Sequence, residues 1–353
     1  MNEFSEKIKF TEVSSAIKDI DHPFPAKLLR GFSDLSSKDI KELILIWPNL
    51  PLERRIALLE DLEEITECDT LVNFDELAKI VIVDENPMIR VLALRLLWES
   101  EDSRLVPGII DLMLGDPDEA VRATSAGLLG RFAYLGEMEK IPSVIKISVV
   151  KNLQEVATSE DLDQVRLRAL ESLGYSSNPK VPALIRTAYS SNKNLWVASS
   201  LCAMGRSADD QWADLVIEKL HSGDSEILFE AVRASGELEL TEALDPLLAL
   251  LDDNLCDSEV RLAAIWSLSQ IGGDEVKEKL QELLADAEED EEIEWIEKAI
   301  ENLELNGNPE GLELFDFEHK LNSEEDDFLD DEGSFEDEID LEELNDQEDL
   351  EEE

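Results

Sequence analysis

The chain has 353 residues, 43% of them hydrophobic, with 85 Asp and Glu against 31 Lys and Arg, for a formal net charge of −54 at pH 7. That sign repels phosphate backbones and anionic lipid head groups, so it argues against direct nucleic-acid or membrane-surface binding and favours a basic partner or simple solubility. The three cysteines, Cys68, Cys202 and Cys256, are odd in number and far apart; this is no disulfide framework and fits a reducing cytoplasm.

In chain order, the start Met1-Asn2-Glu3-Phe4-Ser5-Glu6 lacks the basic and apolar regions of a secretory leader. Residues 1–20 predict a modest amphipathic helix (Phe10, Val13, Ile17, Ile20), and Asp21-His22-Pro23-Phe24-Pro25 a turn or linker. Ile40–Trp47 and Leu52–Ile65 read as the first full helix pair. The apolar run Leu43–Trp47 is far too short to span a bilayer. The β-branched stretch Ile80–Val83 ends a helical pattern that begins near Phe74, and is read as helix.

From here a phrase recurs, apolar–Arg–x–x–Ala–x–x–x–Leu–Gly. It is clearest at Val121-Arg122…Leu129-Gly130, Val165-Arg166…Leu173-Gly174 and Val260-Arg261…Leu268-Ser269. Weaker copies begin at Glu53-Arg54, Ile89-Arg90, Trp196-Val197, Ile227-Leu228 and near Ile293, giving start-to-start spacings of 36, 32, 44, 31, 31, 33 and 33 residues. Such a period denotes stacked repeats. Each phrase reads as the second helix of a pair. Asp116 or Asn86 would cap it, a proline follows at the first position, and Gly130, Gly174, Gly205 and Gly236 would serve as left-handed stops. First helices are expected at Pro107–Leu114, Ile141–Val156, Pro182–Tyr189, Trp212–Leu220, Ala243–Leu251 and Val276–Leu284. The long first helix Ile141–Val156 and a polar loop at Thr158–Asp163 would absorb the 44-residue spacing. Neither helix of a pair can bury its apolar stripe alone, so the pairs must stack into one core.

Beyond Asn306 the pattern stops. Residues 321–353 carry 19 Asp or Glu and no Lys or Arg, a composition that predicts disorder. The expected division is 1–35, an N-terminal helix and linker; 36–305, the repeats; and 306–353, the acidic tail.

With phrase, period and paired helices in hand, the chain resembles HEAT-repeat proteins, and most nearly the bacterial HEAT-like repeats also found in phycobilisome lyase subunits. The likeness is best at Asp116–Gly130, Asp161–Gly174 and Ser258–Gly273. It implies an all-α solenoid of about eight antiparallel helix pairs, with second helices lining a concave face. It also implies a ladder between neighbouring repeats in which a loop Asp meets a helix Arg, at Arg90, Arg122, Arg166 and Arg261. Nearby acids such as Asp84, Asp116, Asp163 and Asp257 would be the partners. An anion-binding row is the competing reading of these arginines, and the acidity of the chain favours the ladder.

Candidate partner-binding residues are Trp196, Arg206 and Trp212, since Arg and Trp are common interface anchors; the competing reading packs both tryptophans in the core. In the tail, Phe328 and Phe335 stand among acids, as in segments that dock on a basic, partly apolar partner, or else the tail only solubilises. His22, His221 and His319 are isolated and no Cys or His pair has ligand spacing, so neither a metal nor another cofactor is expected. Cys202 reads as a small buried apolar residue. The expected function is a non-catalytic cytoplasmic scaffold that binds a protein partner, with basic partners favoured by the acidic tail. The resemblance leaves a bilin-lyase-type enzyme or subunit as the alternative, and an acidic chaperone for basic proteins as a third reading.

Overall fold

A computed structural model of the chain describes residues 8–69, 71–252, 257–287 and 290–306. The expected acidic tail, with Phe328 and Phe335, lies outside the described residues. Every regular element among those described is helical. After α1 (Phe10–Lys18) the helices pair in sequence. They are α2 (Ser37–Ile46) with α3 (Leu52–Cys68), α4 (Asp75–Val81) with α5 (Pro87–Leu96), α6 (Val106–Gly115) with α7 (Glu119–Glu137), and α8 (Ser143–Ala157) with α9 (Asp163–Leu173). Then follow α10 (Val181–Tyr189) with α11 (Asn194–Arg206), α12 (Ala213–Lys219) with α13 (Ser225–Glu237), α14 (Leu244–Asp252) with α15 (Ser258–Ile271), and α16 (Asp274–Asp286) with α17 (Asp290–Asn306). These are the eight pairs of an α-solenoid. Residues 8–35, expected as a helix and linker, join the same core: Phe10, Val13 and Ile17 of α1 and Leu28, Leu29 and Phe32 of a short 3₁₀ helix are buried within it.

The core is one continuous apolar layer running from Phe10 to Ala299. Second helices stack on one another along it, α7 on α9, α11 on α13, and α13 on α15. The glycines of the phrase make this possible by a route other than the one expected. Gly130, Gly174, Gly205 and Gly236 are not left-handed stops: none has positive φ, and Gly130 lies in mid-helix. A Cβ on Gly174 would lie 2.6 Å from the Ala203 carbonyl oxygen, and one on Gly236 would lie 2.6 Å from Ser267 Cα. The glycines are there because backbones of successive second helices touch. Each faces a small residue two positions before the next repeat's own Gly, or before Ser269 in the last: Ser172, Ala203, Ala234 and Ser267. The left-handed ends fall later, at Glu139, Ala208 and Glu239 (φ 59°, 48° and 51°), and at Gly272 after α15 (φ 78°).

Helix starts also differ in detail. Asn86 caps α5 by accepting from the Met88 N–H, with Pro87 in the first turn. For α7 the cap is Asp118, which accepts from Ala120 and Val121, rather than Asp116. Asp116 is drawn instead into an ion pair. The long 44-residue spacing is filled by α8 and also by α7, which runs to Glu137, past the Gly130 at which a stop was expected.

Candidate functional site

Two rows of polar side chains run along the stack. The first lies where loops meet second helices. Arg90 donates from Nε and Nη2 to the two Asp116 oxygens at 2.8 and 2.7 Å, both side chains buried, and its Nη1 reaches the Asp84 carbonyl. Arg122 repeats the arrangement on Asp161 at 2.9 and 2.7 Å. This fork holds the Asp161 carboxyl below its ordinary value, the hydrogen bonds from Arg122 being the main cause. Arg55, one residue after the Arg54 of the first phrase copy, donates to Asp84, while Arg54 turns back to the carbonyls of Ala16 and Asp19. Arg261 pairs with Glu292 at 2.7 Å, whereas the expected Asp257 caps α15.

Arg166 breaks the row. In the next loop Ser191 stands where the earlier repeats carry the pairing acid, and Arg166 lies 4.7 Å above the Trp196 ring. Asp163, the expected acid, is only 3.5 Å from Arg166 and is taken by Lys193 at 2.5 Å.

The second row lies on the face of the second helices. On α13, Phe229, Glu230, Arg233 and Glu237 recur at helical spacing and therefore share one face. Arg233 donates to Glu237 at 3.1 Å and sits 3.4 Å from Glu230. Burial nevertheless pushes both carboxyls above their ordinary value, and the nearby guanidiniums of Arg233 and Arg206 do not offset their desolvation. On α9 and α11, Glu171 accepts from Arg168 and from the Ser199 hydroxyl at 2.7 and 2.6 Å. Arg206 stacks 5.2 Å from the Tyr175 ring, its Nε buried without a hydrogen-bond partner.

Two adjoining clefts open on this face and share Phe229 and Glu259. The larger, about 540 Å³, is walled by Phe229 and Arg233 of α13, Leu262 and Trp266 of α15, and Trp295 of α17. The smaller, about 280 Å³, continues toward Glu171 and Ser199. Trp295 is 38% exposed, and Phe229, Leu262 and Trp266 are half-buried.

The expected partner-binding residues do not converge on these clefts. Trp212 is 1% exposed beneath Arg186 and packs in the core beside the start of α12. Trp196 belongs to the ladder row, and Arg206 ends α11 over the Tyr175 ring, its charge acting on Glu237. Cys202 is buried on α11, and burial pushes its thiol far up, which leaves no thiolate for nucleophilic work near neutral pH. Among the described residues no cluster of His, Cys, Asp and Glu has the makings of a metal site, and no helix is long and apolar enough to cross a membrane.

Phe229, Trp266 and Trp295 were missed in the sequence. Their signal was positional. Trp266 occupies the phrase position where other repeats carry Gly127, Glu171 or Arg233, and only superposing the repeats shows a large aromatic on the open face.

A family model for HEAT repeats matches residues 74–174 and 213–301, more than half of the chain. No curated protein matches it by sequence. Among solved structures it is similar to YibA of Escherichia coli, with 15% identity, a TM-score of 0.38, and 86% of this chain and 99% of that one covered. It is also similar to human deoxyhypusine hydroxylase in complex with glycerol, with 15% identity, a TM-score of 0.34, and coverage of 84% and 97%. A third likeness is to a mutant of Kap121p, with 16% identity, a TM-score of 0.42, and coverage of 85% and 39%. On the stacked helix pairs and the extent of the family match, the chain belongs to the HEAT-repeat family.

Proposed function

We propose that this chain is a non-catalytic scaffold that holds a protein partner against its second-helix face, with basic partners favoured by the charge of that face and by the acidic residues after Asn306. The observation that carries this reading is the open cleft walled by Phe229, Leu262, Trp266 and Trp295. Half-exposed aromatic side chains along a groove are what interface anchors look like, and the repeat fold does not require them there. The architecture fits the role, because stacked pairs present an extended surface for a partner. A cytoplasmic location is part of the proposal.

A photo-cross-linking side chain at Leu262, tested in the native cell, checks it. The expected result is a discrete protein adduct at Leu262 and none from Ile147, which is 67% exposed on the first helix α8. Adducts from Ile147 alone would place the partner on the opposite face and overturn the reading.

A further inference from the structure

We propose that the cleft between α13, α15 and α17 receives the aliphatic stem and cationic head of a lysine or arginine from an extended segment of the partner; this rests on the second-helix face being the partner surface. Three features select that occupant. The walls are rings and an aliphatic side chain, Phe229, Trp266, Trp295 and Leu262, which suit a methylene stem, and ring faces here attract cations, as Arg233 5.8 Å over Phe229 and Lys298 5.9 Å over Trp295 already show. The two clefts together hold two arginines, Arg168 and Arg233, against six carboxylates, Glu171, Glu226, Glu230, Glu237, Asp257 and Glu259. Both arginines are already engaged, Arg168 by Glu171 and Arg233 by Glu230 and Glu237.

The surplus is therefore negative and lies at the rim of an apolar slot. An acidic segment is repelled from it. A purely apolar one would strip water from Glu237 and Glu259 with nothing to replace it. A cationic side chain satisfies both the rings and the carboxylates, and the upward push that burial gives Glu230 and Glu237 is relieved when a positive charge arrives.

The probe is a capped Gly/Ser peptide bearing spaced arginines, compared with the same peptide carrying neutral citrulline. Full-length protein is titrated at physiological salt, and indole N–H signals are followed by NMR alongside calorimetry. The arginine peptide is expected to shift the Trp266 and Trp295 signals and leave those of buried Trp47 and Trp212 in place; the citrulline peptide is expected to shift none. Trp266→Leu, which alters no charge, should weaken binding about tenfold, and Glu237→Gln should weaken it as well, each with helicity checked by circular dichroism. Equal affinity for Trp266→Leu and wild type would reduce the binding to general attraction toward an acidic chain and overturn the proposal. So would equal binding of the citrulline peptide. If a partner cross-links through Leu262 while the arginine peptide moves no indole signal, the second-helix face stands as the partner surface and the cationic occupant is wrong.

Discussion

At the scale of single residues, the ladder arginines look alike in sequence and differ in what they hold. Arg90 and Asp116 are both buried and joined by two short bonds. Removing one leaves the other charged and dry, so Arg90→Ala should cost about 3–5 kcal/mol. Arg166 has only a 3.5 Å contact to a partly exposed Asp163 and its stacking on Trp196; Arg166→Ala should cost about 1 kcal/mol or less. Urea titration of both variants checks the difference, and equal losses would show that the row is not graded by burial. Asp161 supplies a pH test. Its carboxyl is depressed below the ordinary value of 3.8, mainly by the hydrogen bonds from Arg122. Its stabilising contribution is therefore full above that value and lost as pH falls through the depressed one. Asp161→Asn should flatten the acid limb of the stability curve below about pH 4, and an unchanged limb would mean the pair contributes nothing there.

At the scale of the element, the glycines show how far the sequence could be read. The phrase located all eight second helices, because its apolar positions fall on one helical face and its Arg and Leu recur at the repeat period. The purpose of the Gly was not legible. A terminal glycine is usually a left-handed stop, and only the neighbouring helix reveals a close approach instead. The same applies to Asp116, which sits in a good capping position and is claimed by an arginine 26 residues earlier. Two substitutions one turn apart on α7 separate the roles. A Cβ at Gly127 meets nothing within 4 Å, whereas one at Gly130 would lie 2.7 Å from the Ser172 hydroxyl and 2.9 Å from its Cβ. Gly127→Ala should therefore stabilise by about 0.5–1 kcal/mol through helix propensity, and Gly130→Ala should destabilise by about 1–3 kcal/mol through overpacking. Thermal denaturation decides; stabilisation by both would mean that α7 and α9 are not in backbone contact.

At the scale of the whole molecule, the fold was legible and the candidate site largely was not. A repeat array writes its architecture into the sequence many times, so a few degraded copies do no harm. A binding surface is written once, at positions the repeat leaves free. Trp212 stood out because tryptophan is a common interface anchor, yet it is buried. Trp266 and Trp295 matter because three consecutive second helices place them beside Phe229, a neighbourhood no single repeat contains. The charge acts at this scale too. With 85 acidic against 31 basic side chains, self-repulsion opposes compaction, while the buried ladder pairs are poorly screened. Melting temperature should rise as salt increases from about 0.01 to about 0.15 M, where the screening length shortens from about 30 to about 8 Å; a fall would show that exposed ion pairs outweigh the repulsion. The most direct test of the central claim, that function lies on the second-helix face at α13, α15 and α17, is amide hydrogen exchange of the full chain with and without the cross-linked partner. Slowed exchange confined to α13, α15 and α17 is the result this account predicts, and slowing confined to the first helices α8, α10 and α12 would contradict it.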